Sequence, residues 1–151
     1  MKSVFAAALL LLTACASTPP AAGPASVPTS DARDCAVFAV VLREHYRVDD
    51  KTAYRLQRGD AANGADYLIT CDFAAAGIPV RDYDYAHVNG PGRDNFQPWL
   101  SLQRPEYPTP DTATVAAGSL IGPLAGSGVL CHLNKTGAAW TLSRCDQAWI
   151  S

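Results

Sequence analysis

The chain has 151 residues, with 12 Lys and Arg against 14 Asp and Glu, a formal net charge of −2 at pH 7. No basic run stands out from this near-neutral balance. That argues against a nucleic-acid partner, because binding phosphates needs clustered cations.

The first residues, MKSVFAAALLLLTACAS, carry Lys2 as a short positive region and then an apolar run over residues 4–12. The run has the length of a signal-peptide core and is much too short for a bilayer about 30 Å thick. No later apolar stretch approaches the roughly 18 residues of a spanning helix. Leu12-Thr13-Ala14-Cys15 resembles the lipobox of bacterial lipoproteins. The resemblance implies a signal peptide over residues 1–14, acylation of the Cys15 thiol, cleavage before it and acylation of the new amino group. Two or more chains anchor stably, since each buried methylene contributes about 0.8 kcal/mol. Ala16 in place of Asp implies sorting to the outer membrane of a Gram-negative envelope, with the domain facing the periplasm. An ordinary secretory signal cut nearby, with Cys15 incidental, is the plainer alternative.

Residues 15–30 hold four prolines among Ala, Ser and Thr, a composition that stays extended and serves as a spacer. Residues 31–151 remain as a single periplasmic domain, long enough for one modest core. Besides Cys15 the chain contains Cys35, Cys71, Cys131 and Cys145, an even number that suits two disulfides in an exported protein. Three pairings are open, and short local loops favour Cys35–Cys71 and Cys131–Cys145. A four-cysteine zinc site lacks the close C-x-x-C spacing it needs.

A helix is expected over residues 32–47, capped by Ser30 or Asp31, with Cys35, Phe38, Val41, Leu42 and His45 as its buried stripe. Residues 50–58 fit a short helix, or a strand in which Tyr54 and Leu56 alternate. Strands are expected over residues 65–71, 95–104, 112–120, 128–134 and 139–150. Pro98 should confine the second of these to an edge or a bulge. Residues 72–77 fit one helical turn, residues 105–110 a link, residues 122–126 a glycine-rich bend, and Asn134-Lys135-Thr136-Gly137 a hairpin turn. The pieces Trp99-Leu100-Ser101, Gly126-Ser127-Gly128, Gly137-Ala138-Ala139-Trp140 and Trp149-Ile150-Ser151 resemble a C-terminal pattern of small exported bacterial proteins of unknown function. The resemblance implies an antiparallel meander.

The fold expected is therefore α+β: an N-terminal helix on an antiparallel sheet of four or five strands, with a C-terminal β-meander. A curved sheet over a helix, similar to the nuclear-transport-factor-like fold, is one version.

Asp82, Asp84 and His87, with Asp94 further on, are the candidate metal ligands, since two carboxylates and an imidazole can hold a divalent ion. A solvated strand edge is the bland alternative. Glu44 and His45 are adjacent on the helix and point about 100° apart, so they make no pair. His132 should face away from Cys131 across its strand. Trp99, Trp140 and Trp149 can fill the core or line a groove. Neither G-x-G-x-x-G nor G-x-S-x-G occurs, and no cofactor is expected.

The sequence supports a non-enzymatic envelope lipoprotein that binds a protein, glycan or lipid partner through an exposed apolar or aromatic patch. Two alternatives stand beside it. One is a lysozyme inhibitor, because Ser127-Gly128-Val129-Leu130 resembles half of the S-G-x-x-Y motif of such families. The other is a metal-dependent hydrolase using Asp82, Asp84 and His87.

Overall fold

The computed structural model describes residues 26–51, 54–59, 65–84 and 96–151. Chain order begins earlier than the composition suggests. Ser30 N donates to Leu68 O and Leu68 N to Pro28 O, both at 2.9 Å, so residues 28–30 already pair with the domain.

Helix α1 spans Ala32–Val40. Asp31 caps it: its carboxylate accepts from Asp34 N while the Asp34 carboxylate accepts from Asp31 N, a reciprocal box that satisfies two otherwise orphaned donors. A π-helical turn, Val41–His45, continues it, closed by Tyr46 N donating to Val41 O. The expected helix is thus slightly shorter than residues 32–47. Arg47 takes a positive φ of 50°, which stops the spiral in the left-handed region. Val37, Phe38, Val41 and Leu42 are fully buried. At about 1.5–3 kcal/mol for each, they are what seats the helix on the sheet.

Among the described residues the sheet has seven strands: β1 (Arg55–Gln57), β2 (Arg81–Asp82), β3 (Trp99–Leu102), β4 (Glu106–Thr109), β5 (Thr112–Gly122), β6 (Ala125–Thr136) and β7 (Ala139–Ile150). Their order is β2-β1-β3-β5-β6-β7, with β4 also pairing β5. Pairings among β3 to β7 are antiparallel, as the meander pattern implies, whereas β1 lies parallel to both β2 and β3. The fold is α+β with a large, mostly antiparallel sheet. It has seven strands, not four or five.

The differences are local and have physical reasons. Residues 65–71 contribute only an isolated bridge from Leu68 to Thr29, because their apolar side chains turn under the helix: Tyr67, Ile69 and Cys71 are buried. Pro98 does not push β3 to an edge. It lies just outside the strand, where its carbonyl accepts from Arg55 N, and β3 sits between β1 and β5. Residues 106–109, expected as a link, form β4. Pro108 is tolerated there because β4 pairs on one side only, through a register shift against β5. The turns of the meander are also tighter than expected, with Pro123 and Leu124 between β5 and β6, and Gly137 and Ala138 between β6 and β7. Gly137 has the φ of 62° that the second turn requires.

On the helix side of the sheet, Ala113, Val115 and Ala117 of β5 face Cys131 and Leu133 of β6, beside Leu56, Leu100, Leu102 and Trp140. Two disulfides staple this arrangement: Cys35–Cys71 ties α1 to the segment beneath it, and Cys131–Cys145 joins directly opposed residues of β6 and β7.

Candidate functional site

Three places gather chemistry. The first is the start of α1. Asp34 is only 6% exposed, and a buried carboxylate needs partners. It accepts from Tyr67 Oη at 2.7 Å and Tyr107 Oη at 2.6 Å, in the positive field of the helix N-terminus. Burial first, then the hydrogen bond to Asp34, pushes both phenols well above the usual tyrosine range. The neighbouring Arg33 guanidinium lies 3.6 Å from the centre of the Tyr107 ring and 5.6 Å from that of Trp140. It also donates to Thr109 O and Pro110 O. Every group here is engaged by another part of the chain, so the assembly clamps helix to sheet.

The second place is the sheet face opposite α1. Ser101, Gly118, Gly128 and Trp149 form one row across β3, β5, β6 and β7. The Trp149 indole lies against the Gly128 backbone, where even a methyl group would overlap it, and reaches toward Gly118. A bulge opposite Gly128 and Val129 sets this up: the extra residue in β7 turns Trp149 to the glycine side. Nearby, His132 Nε2 lies 3.0 Å from Asp146 Oδ2, and Arg144 Nε donates to the same carboxylate at 2.9 Å. The Arg144 hydrogen bond, the largest influence, holds Asp146 below the usual carboxylate range. Around the β5–β6 turn, Ile121, Leu124 and Ile150 are 59%, 89% and 71% exposed, and Leu130 and Trp149 are 39% and 46% exposed.

The third place is the Cys131–Cys145 bridge. His45 is carried over it by the π-helical turn, and one of its ring nitrogens and the two sulfurs all lie within 4.8 Å of one another. The His45 ring packs edge-on against Tyr46 at 4.7 Å, and partial desolvation by its neighbours, though the residue is exposed, holds its pKa below the ordinary imidazole value. Glu44, next in the chain, fixes this turn to the sheet by accepting from Leu142 N at 3.3 Å. A separate shallow depression of about 400 Å³ is lined by Val48, Asp49, Asp50, Ala74, Gly77, Ile78 and Pro79.

The residues singled out in the sequence are distributed as follows. Asp82, in β2, forms an ion pair with Arg58, so a cation of the chain itself already sits on that carboxylate. Asp84 is described and also engaged, whereas His87 and Asp94, like Cys15, lie outside the described residues. Ser127 and Ser119 approach to 3.2 Å between their hydroxyl oxygens, across the ladder. His132 is on the opposite face from Cys131. His45, expected on the buried stripe, is exposed beside the disulfide. Trp140 is core, Trp99 is half-buried against Tyr83 at 6.5 Å, and Trp149 is on the open face. The approach of His45 to the cysteines was missed, because the residues involved are remote in sequence. A cysteine pair opposed across two strands was the one available signal.

No protein-family model, curated protein or solved structure matches this chain. Among the described residues no helix is long and apolar enough to cross a membrane.

Proposed function

We propose that the chain is a membrane-anchored envelope lipoprotein, held through lipid on Cys15 at the outer membrane and facing the periplasm. Its α+β domain serves as a non-enzymatic module that binds a protein, glycan or lipid partner. The observation that carries the binding role is the exposed apolar group Ile121, Leu124, Leu130, Trp149 and Ile150 at the β5–β6 end of the sheet. Exposed large apolar side chains are available to a partner here, and Trp149 adds an amphipathic ring suited to such contacts. The two disulfides accord with an oxidising compartment. The lipobox and the proline-rich spacer support the tether.

Two experiments test this. Cys15→Ser is expected to abolish lipid labelling and membrane fractionation while the domain still folds; a variant that stays membrane-bound refutes the anchor. Affinity capture from intact envelopes should recover a partner with the native chain and lose it with Leu124→Ser/Ile150→Ser. Equal recovery by both moves the binding role away from this end of the sheet.

A further inference from the structure

The Cys131–Cys145 bridge has a neighbour that a purely structural disulfide does not require. His45 reaches it from the helix layer, giving two sulfurs and an imidazole within 4.8 Å of one another. The Cys35–Cys71 bridge has no such neighbour among the described residues. It faces the Ser30 hydroxyl, 3.7 Å from Cys35 Sγ and 3.3 Å from Cys71 Sγ.

We propose that reduction of Cys131–Cys145 converts this corner into a zinc-class metal site, with Cys131, Cys145 and His45 as the three protein ligands. The inference is independent of the partner-binding role.

Geometry supports it in three ways. Zinc takes thiolate at about 2.3 Å and imidazole at about 2.0–2.1 Å in a tetrahedral arrangement, which places the donor atoms about 3.5–3.8 Å apart. The His45 nitrogen and the two sulfurs lie within 4.8 Å of one another, so side-chain rotation that parts the sulfurs and brings the imidazole closer can reach that spacing. The backbone that carries them is also held by ladder pairing on both sides of the S–S bond, at Leu133 with Leu142 and at Leu130 with Asp146. His45 is held from its own side by Glu44 on Leu142 N. Cys131 is fully buried, Cys145 half-buried and His45 exposed, so a fourth position opens to water. Three protein ligands with an open position make an exchangeable site, in contrast to a closed structural one.

The redox step needs a dithiol reductant, R(SH)2. Its thiolate attacks the more accessible sulfur, Cys145 Sγ, and the S–S electron pair leaves on Cys131 Sγ, which takes a proton. The second thiol of the reductant then attacks the mixed disulfide, releasing the Cys145 thiol and a cyclic R(S–S). Two electrons and two protons pass to the protein. Binding Zn²⁺ then expels both thiol protons, and two thiolates with a neutral imidazole balance the ion.

The test is to reduce the full chain with tris(2-carboxyethyl)phosphine, remove the phosphine without air, and titrate with Co²⁺ and then Zn²⁺. Expected is one equivalent of Co²⁺ with thiolate-to-cobalt charge-transfer absorption, displaced by Zn²⁺ and absent from the oxidised chain. His45→Ala should weaken Zn²⁺ binding at least about tenfold, the lower end of what losing even an outer-shell partner costs. Cys145→Ser should abolish the charge-transfer signal. The proposal is overturned if the reduced chain gives no such signal or if the signal survives in Cys145→Ser. It is equally overturned if His45→Ala binds Zn²⁺ as tightly as the native chain, or if circular dichroism shows that reduction alone unfolds the sheet.

Discussion

The two halves of the domain are held by different means. From Thr112 onward, three strands of 11 and 12 residues zip together through adjacent hairpins, so each hydrogen bond lies next to another. Ahead of Trp99 the regular structure among the described residues is one helix with its π turn and strands of three and two residues, β1 and β2. That half is assembled from remote pieces: a cap, a buried carboxylate, a disulfide and a helix face of four side chains. The meander therefore relies on many weak, repeated interactions, and the N-terminal half on a few strong, singular ones. Single substitutions should be felt more in the second.

The sharpest way to break this comparison is to remove the bridges one at a time. Cys35 and Cys71 are 36 residues apart and Cys131 and Cys145 are 14 apart, so loop-closure entropy makes their losses about 4 and about 3 kcal/mol. Chemical denaturation of the two double-alanine variants should rank them in that order. The reverse ranking would show that the meander, not the helix layer, is the dependent half.

Next in size is Asp34→Ala, which strands the buried Tyr67 phenol and the half-buried Tyr107 phenol and removes the helix box at a cost of about 2–3 kcal/mol. It also has a pH signature. Tyr67 and Tyr107 are held neutral, and Tyr46, in a buried site, is pushed up to about 12. A raised value in the native state means that stability is fully present below the ordinary tyrosine value of 10. It is then lost as pH rises through the native values. Alkaline unfolding should therefore begin above about pH 10. Asp34→Ala should bring the ionisation of Tyr67 and Tyr107 to lower pH, read by ultraviolet titration, and leave that of Tyr46 in place.

Gly128→Ala is the corresponding probe of the meander. It drives a methyl group into the Trp149 indole, at a cost of about 1–3 kcal/mol, and tryptophan fluorescence should report the ring's displacement into water. Arg47→Gly should act in the opposite direction. It relieves a side chain from the left-handed region and stabilises by about 1 kcal/mol in thermal melts. Smallest of all is Asp146→Asn on the open face. Its depressed carboxylate contributes only above the ordinary value of 3.8, and the contribution is lost as pH falls below it. The variant should be slightly less stable than the native chain at neutral pH, and the difference should vanish in acid, where the native carboxylate is protonated.

The same division governs what was legible in the sequence. β7 was expected over residues 139–150 and is found there, because Trp140 and Leu142 sit in alternating positions after a glycine turn. β1 and β2 offer too few residues for any periodicity, and their parallel partners come from elsewhere in the chain. The helix itself was legible from its cap and apolar spacing. The placement of His45 was not, because a π turn carries more residues per turn than an α turn, and the stripe therefore rotates away from an α-helical wheel after Val41. Nor was Trp149 legible: a bulge shifts its parity, and no pattern of alternating polarity marks the extra residue.

The pairing of residues 28–30 with Leu68 also sets a path for mechanical load. A pull on the chain ahead of Pro28 first meets two backbone hydrogen bonds at Leu68, which open in sequence and act as a weak fuse. Tension then passes through the first turn of α1 to Cys35, where the bridge to Cys71 diverts it into the segment beneath the helix. The residues between Cys35 and Cys71 are a covalently shielded loop, and the long strands downstream meet the force only after that segment yields. A domain pulled from this end gives a little at residues 28–30 and keeps its sheet intact.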